Sequence, residues 1–266
     1  MPTLLFLKLG GSLITDKATP RTLRGDVLTR LMGEITAAQA DGAFQLVLGH
    51  GSGSFGHIEG KRYGTRDGVH SREDWRGFAE VQAAAALLNR HVIDAARAAG
   101  LPVFNCPPSA SAVCRDGRIE SLALEPITHA LAHGLVPVVQ GDVAVDRVRG
   151  GTIVSTEDVF GYLAPRLKPA RLLLAGRDPG VLTRWPDGDL VPEIVDGTAV
   201  NAGAAQATDV TGGMVAKIFE TLNMVRAVPG LTALIFSGDV PGQVAAALRG
   251  EPVPGTRLRQ ANQLLG

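Results

Sequence analysis

Short apolar runs alternate with helix-like segments along almost the whole of this 266-residue chain, and that alternation restricts the folds open to it. Strand-like runs lie at 3–9, 44–49, 101–105, 135–139, 171–175 and 231–236. Between them, 25–40 has a helical apolar period closed by Asp41-Gly42, and 75–99 is an alanine-rich helix opened by Ser71-Arg72-Glu73-Asp74 and stopped by Gly100. Further helices are read at 125–133, after Ser155 with Asp158 at the third position, at 213–227 and at 241–248. Helices returning between strands argue for an α/β sandwich with a mainly parallel central sheet. Asp116-Gly117 and Arg149-Gly150-Gly151 predict hairpins, and another is expected within 181–194. Residues 58–72, without clear periodicity, are expected to form an irregular flap, and 196–211 a loop.

Ligands of such a sheet bind beyond the carboxyl ends of its strands. Four strand ends run into glycine-rich or polar breaks: Lys8-Leu9-Gly10-Gly11-Ser12, His50-Gly51-Ser52-Gly53-Ser54-Phe55-Gly56-His57, Gly141-Asp142, and Gly176 to Gly180. They belong on one edge. The 50–57 stretch carries three glycines and two serines in eight residues, which leaves backbone N–H groups uncovered, as a phosphate requires. A plain turn has the same composition, so the other breaks must decide between the two readings. Asp209-Val210-Thr211-Gly212-Gly213-Met214 leads into a helix that offers its first amides, and Lys217 one turn in, to an anion.

Basic and acidic residues number 26 each, so no overall positive field points to nucleic acid. Five of the 26 basic residues are lysines, and Lys8, Lys17 and Lys217 sit in glycine-rich or strand-end contexts. A compact ammonium there is not interchangeable with the arginines used elsewhere. The two cysteines, Cys106 and Cys114, have no metal-ligand pattern around them, so a reducing compartment without disulfides is expected. No apolar stretch approaches membrane-spanning length and no leader is read, so a cytoplasmic protein without a membrane partner is expected.

Three lysines, clustered backbone donors and a histidine, without a base–nucleophile pair of the hydrolase kind, suit phosphoryl transfer between two phosphorylated molecules. No GxxxxGK[ST] sequence occurs. Gly51-Ser52-Gly53-Ser54-Phe55-Gly56 is formally a dinucleotide fingerprint. Its bulky phenylalanine, and the lack of a strand-ending acid at the expected distance, weigh against an NAD-linked oxidoreductase.

The run from Lys8 to Lys17, the stretch from His50 to His57, Gly141-Asp142, and 209–214 with Lys217 resemble, in order, the motifs of isopentenyl phosphate kinase in the amino acid kinase superfamily. The resemblance implies a three-layer αβα sandwich with an open, mainly parallel sheet, Mg2+ and ATP as cofactors, a small-molecule phosphate as acceptor, and a homodimer. It implies one domain over 1–266, with an acceptor-binding lobe over about 1–165 and a nucleotide-binding lobe over about 166–266. Carried over by residue, Lys8 would contact the transferring phosphate, Lys17 and Lys217 the nucleotide phosphates, and His57 the acceptor phosphate. Ser52 and Thr156 would serve the acceptor through their backbones. Phe78, Val81, Val145 and Ile153 match regions lining the apolar tail. Gly10, Gly11, Ser12, Gly53, Asp158, Gly176, Gly180 and Gly213 would lie along the nucleotide.

Three departures stand out. Ser52 replaces the middle of three glycines, which a serine tolerates unless that residue needs positive φ. The family's Ser-Gly-Asp-Asp reads Ser155-Thr156-Glu157-Asp158, so either Glu157 or Asp158 would organise the lysines. Arg177 replaces an acid in the nucleotide loop. The resemblance therefore leaves three readings: an isopentenyl phosphate kinase, a kinase for another small phosphate or phosphonate such as fosfomycin, and a nucleotide-binding regulatory protein without turnover.

Overall fold

The computed structural model describes residues 2–16, 18–40, 44–196 and 212–261. Its first half runs β1 (Thr3–Leu9), α1 (Gly11–Ile14), α2 (Gly25–Ala40), β2 (Phe44–His50), α3 (Gly53–Tyr63), α4 (Arg72–Ala98), β3 (Val103–Asn105), β4 (Val113–Arg115), β5 (Arg118–Ser121) and α5 (Glu125–Ala132). It continues through β6 (Val136–Gln140), β7 (Asp142–Asp146), β8 (Gly150–Val154), α6 (Thr156–Leu167), β9 (Arg171–Gly176), β10 (Glu193–Asp196), α7 (Gly212–Ala227), β11 (Thr232–Ser237), α8 (Gln243–Arg249) and β12 (Gly255–Gln260).

Among the described residues, eight strands form the main sheet in the order β10-β12-β11-β9-β1-β2-β6-β3. Strand β1 pairs in parallel with β2 and β9, and the parallel pairing extends through β6 and β3 on one side and β11 on the other. Strand β12 runs against β11. Because β2 and β9 flank β1 on opposite sides, the chain reverses its direction of winding at β1. The crevice beyond its carboxyl end is a topological switch point.

Alternation along β1 separates the two faces. Leu5, Leu7 and Leu9 pack with Leu28, Leu31 and Met32 of α2, Leu88 and Val92 of α4, and Val244 and Leu248 of α8. Phe6 points the other way, into a core with Val159, Phe160 and Leu163 of α6 and Leu222 and Val225 of α7. The result is three layers, αβα. By the same two-residue period Lys8 falls on the face covered by α6. A smaller four-stranded sheet, β5-β4-β7-β8, holds both hairpins predicted from their glycine turns.

Three stretches refine the reading of the sequence. The turn and flap read over 50–72 instead contain helix α3. Gly53, Gly56 and Gly60 give it poor intrinsic propensity, but the ring of Tyr63 packs where a β-carbon of Gly77 in α4 would sit, and this docking supplies what local preference lacks. The hairpin expected within 181–194 is present but short: an antiparallel bridge joins Leu182 and Leu190, flanked by Val191 N donating to Val181 O and Thr183 N to Asp189 O, both at 2.8 Å. Strand β12, with Leu258 as its single apolar side chain between two arginines, carries too weak an alternation to be read. The predicted loop at 196–211 lies almost wholly outside the described residues.

The long helix α4 begins as its sequence predicts. The Ser71 hydroxyl accepts from Asp74 N at 3.1 Å, and the Asp74 carboxylate accepts from Ser71 N at 2.8 Å. Removing one half of this box by Ser71→Ala is expected to cost about 1 kcal/mol. Urea unfolding checks this as a lower midpoint at unchanged slope, and an unmoved midpoint would show that the cap contributes nothing.

Candidate active site

Strand β1 ends by carrying Lys8 under the first turn of α6. There its ammonium forms an ion pair with Glu157, both side chains being about nine-tenths buried. Burial alone would raise the Glu157 carboxyl. The charge and hydrogen bond of Lys8, its own backbone amide and the charge of Lys217 together outweigh that effect and hold it below the ordinary value. Asp158, the other carboxylate left open by the sequence, does different work: it accepts from Ser155 N at 2.7 Å and closes the cap of α6. Glu157 is therefore the residue that organises Lys8. Lys217, on α7, brings its Nζ to 3.9 Å from the point where a β-carbon on Gly176 would sit.

The glycines let three backbones meet here. A β-carbon on Gly11 would fall 2.3 Å from the nitrogen of Gly53, an impossible approach for any other residue. Gly10 N donates to Ala175 O at 2.8 Å, tying the β1 end to β9. The positive φ needed to turn into α3 falls on Gly53, at 49°, while Ser52 sits at −77°. Serine at the position of the family's glycine is thus unstrained. Ser52 N and Thr156 N both face Gly141, each 3.8 Å from where its β-carbon would be.

A cavity of about 420 Å³ opens from this junction. Lys8, Gly11, Gly51, Ser52, Gly141, Thr156 and Glu157 line its polar end. Gly56 and Gly60 on α3 and Gly64, which ends that helix, form one side wall at four-residue spacing, with Val81, Ala85 and Ile153 adding apolar surface. Those glycines and Ala85 were missed in the sequence; their four-residue spacing is the signal that could have found them. Phe78 does not line the cavity but packs on Trp75, ring centroids 5.1 Å apart, and Val145 on β7 is half exposed. Ser12 lies within α1, and His57 falls in α3. Gly180 sits away from the cavity against Leu190 and Thr256, Gly213 lies in the first turn of α7, and Lys17 is outside the described residues.

Buried polar groups support the floor. His50 lies between the Gly51 carbonyl, 3.2 Å from Nδ1, and Asn89 Oδ1, 3.0 Å from Nε2. Burial lowers its pKa against the raising effect of both contacts, and the Lys8 charge adds to the lowering, so the ring is neutral. Its own carbonyl accepts from the Thr156 hydroxyl at 2.6 Å and from Gly141 N at 3.2 Å. Burial likewise raises the Asp142 carboxyl, against hydrogen bonds that include those from the Ser109 and Val143 backbones. At the far side of the switch point, Arg177 pairs with Asp239 at 3.4 Å, and Arg24 meets the same carboxylate at 2.9 Å. The base that replaces an acid in the nucleotide loop is thus compensated within the chain.

Among the described residues no group of three or more His, Cys, Asp or Glu could hold a metal ion. Glu157 is taken up by Lys8, Asp158 by the helix cap, and Asp142, which also lines the cavity, accepts from the Ser109 and Val143 amides.

The pattern of the amino acid kinase family matches residues 3–237. The isopentenyl phosphate kinase of Methanothermobacter thermautotrophicus is 37% identical, the alignment covering 96% of this chain and 98% of the relative. That of Haloferax volcanii is 39% identical, over 94% of this chain and all of the relative. A crystal structure of isopentenyl phosphate kinase superposes with a TM-score of 0.82 at 35% identity, covering 96% of this chain and 99% of that one. The product complex of the Thermoplasma acidophilum enzyme gives 0.79 at 26% identity, covering 97% and 100%.

Behind Glu157, a groove between α6 and α7 holds Glu220, whose carboxyl is pushed up to about 7 by burial and by the charges of Glu157 and Asp158. A carboxyl raised on folding favours the native state at low pH and penalises it once ionised, so this contribution is lost as pH rises from about 4.5 to about 7. Glu220→Gln is therefore expected to stabilise the protein at pH 8 by about 1 kcal/mol, a figure discounted for partial solvent screening, and to change nothing at pH 4. Thermal melts at the two pH values check it; destabilisation at pH 8 would contradict the assignment.

Proposed function

Because the chain belongs to the isopentenyl phosphate kinases of the amino acid kinase family, we propose that it transfers the γ-phosphate of ATP to isopentenyl phosphate, giving isopentenyl diphosphate and ADP. The observation that carries this reading is the buried Lys8–Glu157 pair in a cavity whose lining joins glycines and aliphatic side chains with the charged Lys61, Arg66 and Asp67. An acceptor phosphate suits the end bounded by Lys8, Ser52 N and Thr156 N, and a short branched hydrocarbon suits Val81, Ala85 and Ile153. A phosphate oxygen of the acceptor attacks the γ-phosphorus, the bond to the ADP oxygen breaks in line, and no group of the chain is phosphorylated on the way. Positioning and charge neutralisation do most of the catalysis in such a transfer.

The roles of Lys8, Glu157 and Lys217 are supported by their placement, and those of Lys17 and His57 by their motifs. Lys8 neutralises the transferring group. Glu157 keeps that ammonium aimed and charged. Lys217, and Lys17 by its motif, serve the nucleotide phosphates, with Gly10, Gly11 and Gly176 letting the donor approach the backbone. His57 donates to the acceptor phosphate; a histidine suits this because an anion raises its pKa. Mg2+ would arrive with the nucleotide, held by phosphate oxygens and water as this ion prefers, and it would offset charge on the transferring group. A homodimer in the cytoplasm, working in isoprene biosynthesis, completes the reading.

Purified protein incubated with Mg·ATP is expected to release ADP with isopentenyl phosphate in preference to fosfomycin and other alkyl monophosphates. Preference for fosfomycin would move the protein to the phosphonate kinases, and no ADP with any acceptor would leave a regulatory nucleotide binder. Lys8→Ala is expected to lower kcat by about 100-fold or more. His57→Ala is expected to lower kcat/KM for the acceptor at least tenfold, the ~1.4 kcal/mol lost with one charge-assisted hydrogen bond. An unchanged kcat/KM would remove His57 from the site.

A further inference from the structure

A polar chain, buried at His50 and Asn89 and ending on the exposed Asn105, stands behind the cavity and belongs to none of the family motifs' assigned roles. It runs from the Gly51 carbonyl through His50 to Asn89, and from Asn89 Nδ2 to Asn105 Oδ1 at 2.9 Å. His50 and Asn89 are 1% and 4% exposed, so each unmatched donor or acceptor there carries the full cost of desolvation. With Asn89 Oδ1 toward Nε2 the imidazole would face an oxygen at both nitrogens, yet a neutral ring has only one N–H. A half-turn of the Asn89 amide, whose oxygen and nitrogen are interchangeable by shape, resolves the conflict. Asn89 Nδ2 then donates to Nε2, and Nδ1–H donates to the Gly51 carbonyl. The Asn105 amide, turned likewise, donates to Asn89 Oδ1.

We propose that His50 is a positioning residue that sets the Gly51–Ser52 peptide for acceptor binding. In a trans peptide the C=O and the following N–H point in opposite directions. Holding the Gly51 carbonyl on the imidazole therefore turns Ser52 N–H away from His50, toward Gly141 and the cavity. Gly51 needs such a clamp, since a glycine peptide flips easily between alternatives. The Thr156 side of the cradle is fixed to the same residue, through the hydroxyl bond to the His50 carbonyl. One residue thus sets both backbone donors of the cradle.

The inference rests on the kinase reading for the identity of the acceptor, and two conservative variants test it separately. The amide nitrogen of asparagine occupies roughly the place of Nδ1, and the amide oxygen of glutamine can take the accepting place of Nε2. His50→Asn keeps the donor to Gly51, and His50→Gln keeps only the Asn89 contact. His50→Gln is expected to weaken calorimetric binding of isopentenyl phosphate and raise its KM about tenfold, leaving the KM for ATP within about twofold, while His50→Asn recovers to within about threefold of the parent. Equal losses in the two variants, or parent-like acceptor binding by His50→Gln, would overturn the assignment. If His50→Gln fails to fold by circular dichroism, Asn89→Ser carries the test, with about a threefold rise in acceptor KM expected at constant ATP KM; no rise overturns the proposal. A parent protein that binds isopentenyl phosphate without turnover sinks the kinase reading alone, because the binding comparison still decides for or against His50. A parent that does not bind it overturns both.

Discussion

A lysine at the end of a buried strand must find a counter-charge, and the site is built around how this chain meets that requirement. Lys8 shares a face with Phe6, against the α6 layer. Unpaired, its ammonium would carry the desolvation cost of a buried ion. Glu157 meets it from the second position of α6, where the free amides of a helix N-terminus also favour an anion. The register of β1, the start of α6 and the separation of the two layers are thereby linked. Moving any one would leave a charge buried alone.

That linkage explains why the neighbouring residues are so small. For α6 to begin close over the sheet, the strand beneath must recede: a β-carbon on Gly49 would fall 2.6 Å from the Thr156 methyl and 2.7 Å from the Phe160 ring. The same economy of side chains at Gly11, Gly51 and Gly53 brings β1, β2 and α3 together at the switch point. The cavity follows from it, with backbone donors and a lysine near the junction and helical glycines, aliphatic residues and the charged Lys61, Arg66 and Asp67 along the rest of its lining.

Much of this was legible in the sequence. The six main strand signals correspond to β1, β2, β3, β6, β9 and β11; apart from the exposed edge strand β3 these are largely buried parallel strands, which read as continuous apolar runs. The capping residues Ser71 and Ser155 marked two helices correctly, since their chemistry is local. What stayed hidden depended on contacts distant in the chain. Helix α3 is held by α4 despite its glycines, and the choice of Glu157 over Asp158 turns on which carboxylate faces β1. The tail-lining assignments of Phe78 and Val145 came from regional matching, and neither side chain borders the cavity, whereas Val81 and Ile153 do. The polar chain from His50 to Asn105 spans three separate elements and has no sequence signature.

The central claim is that this site moves a phosphoryl group onto a phosphate rather than onto water or a carboxylate. Phosphorus NMR of a reaction holding the protein, Mg·ATP and isopentenyl phosphate measures that directly. The account predicts that the single resonance of the monophosphate is replaced by the two coupled resonances of a diphosphate as ADP accumulates in equal amount. Growth of inorganic phosphate with the isopentenyl phosphate resonance unchanged would contradict it.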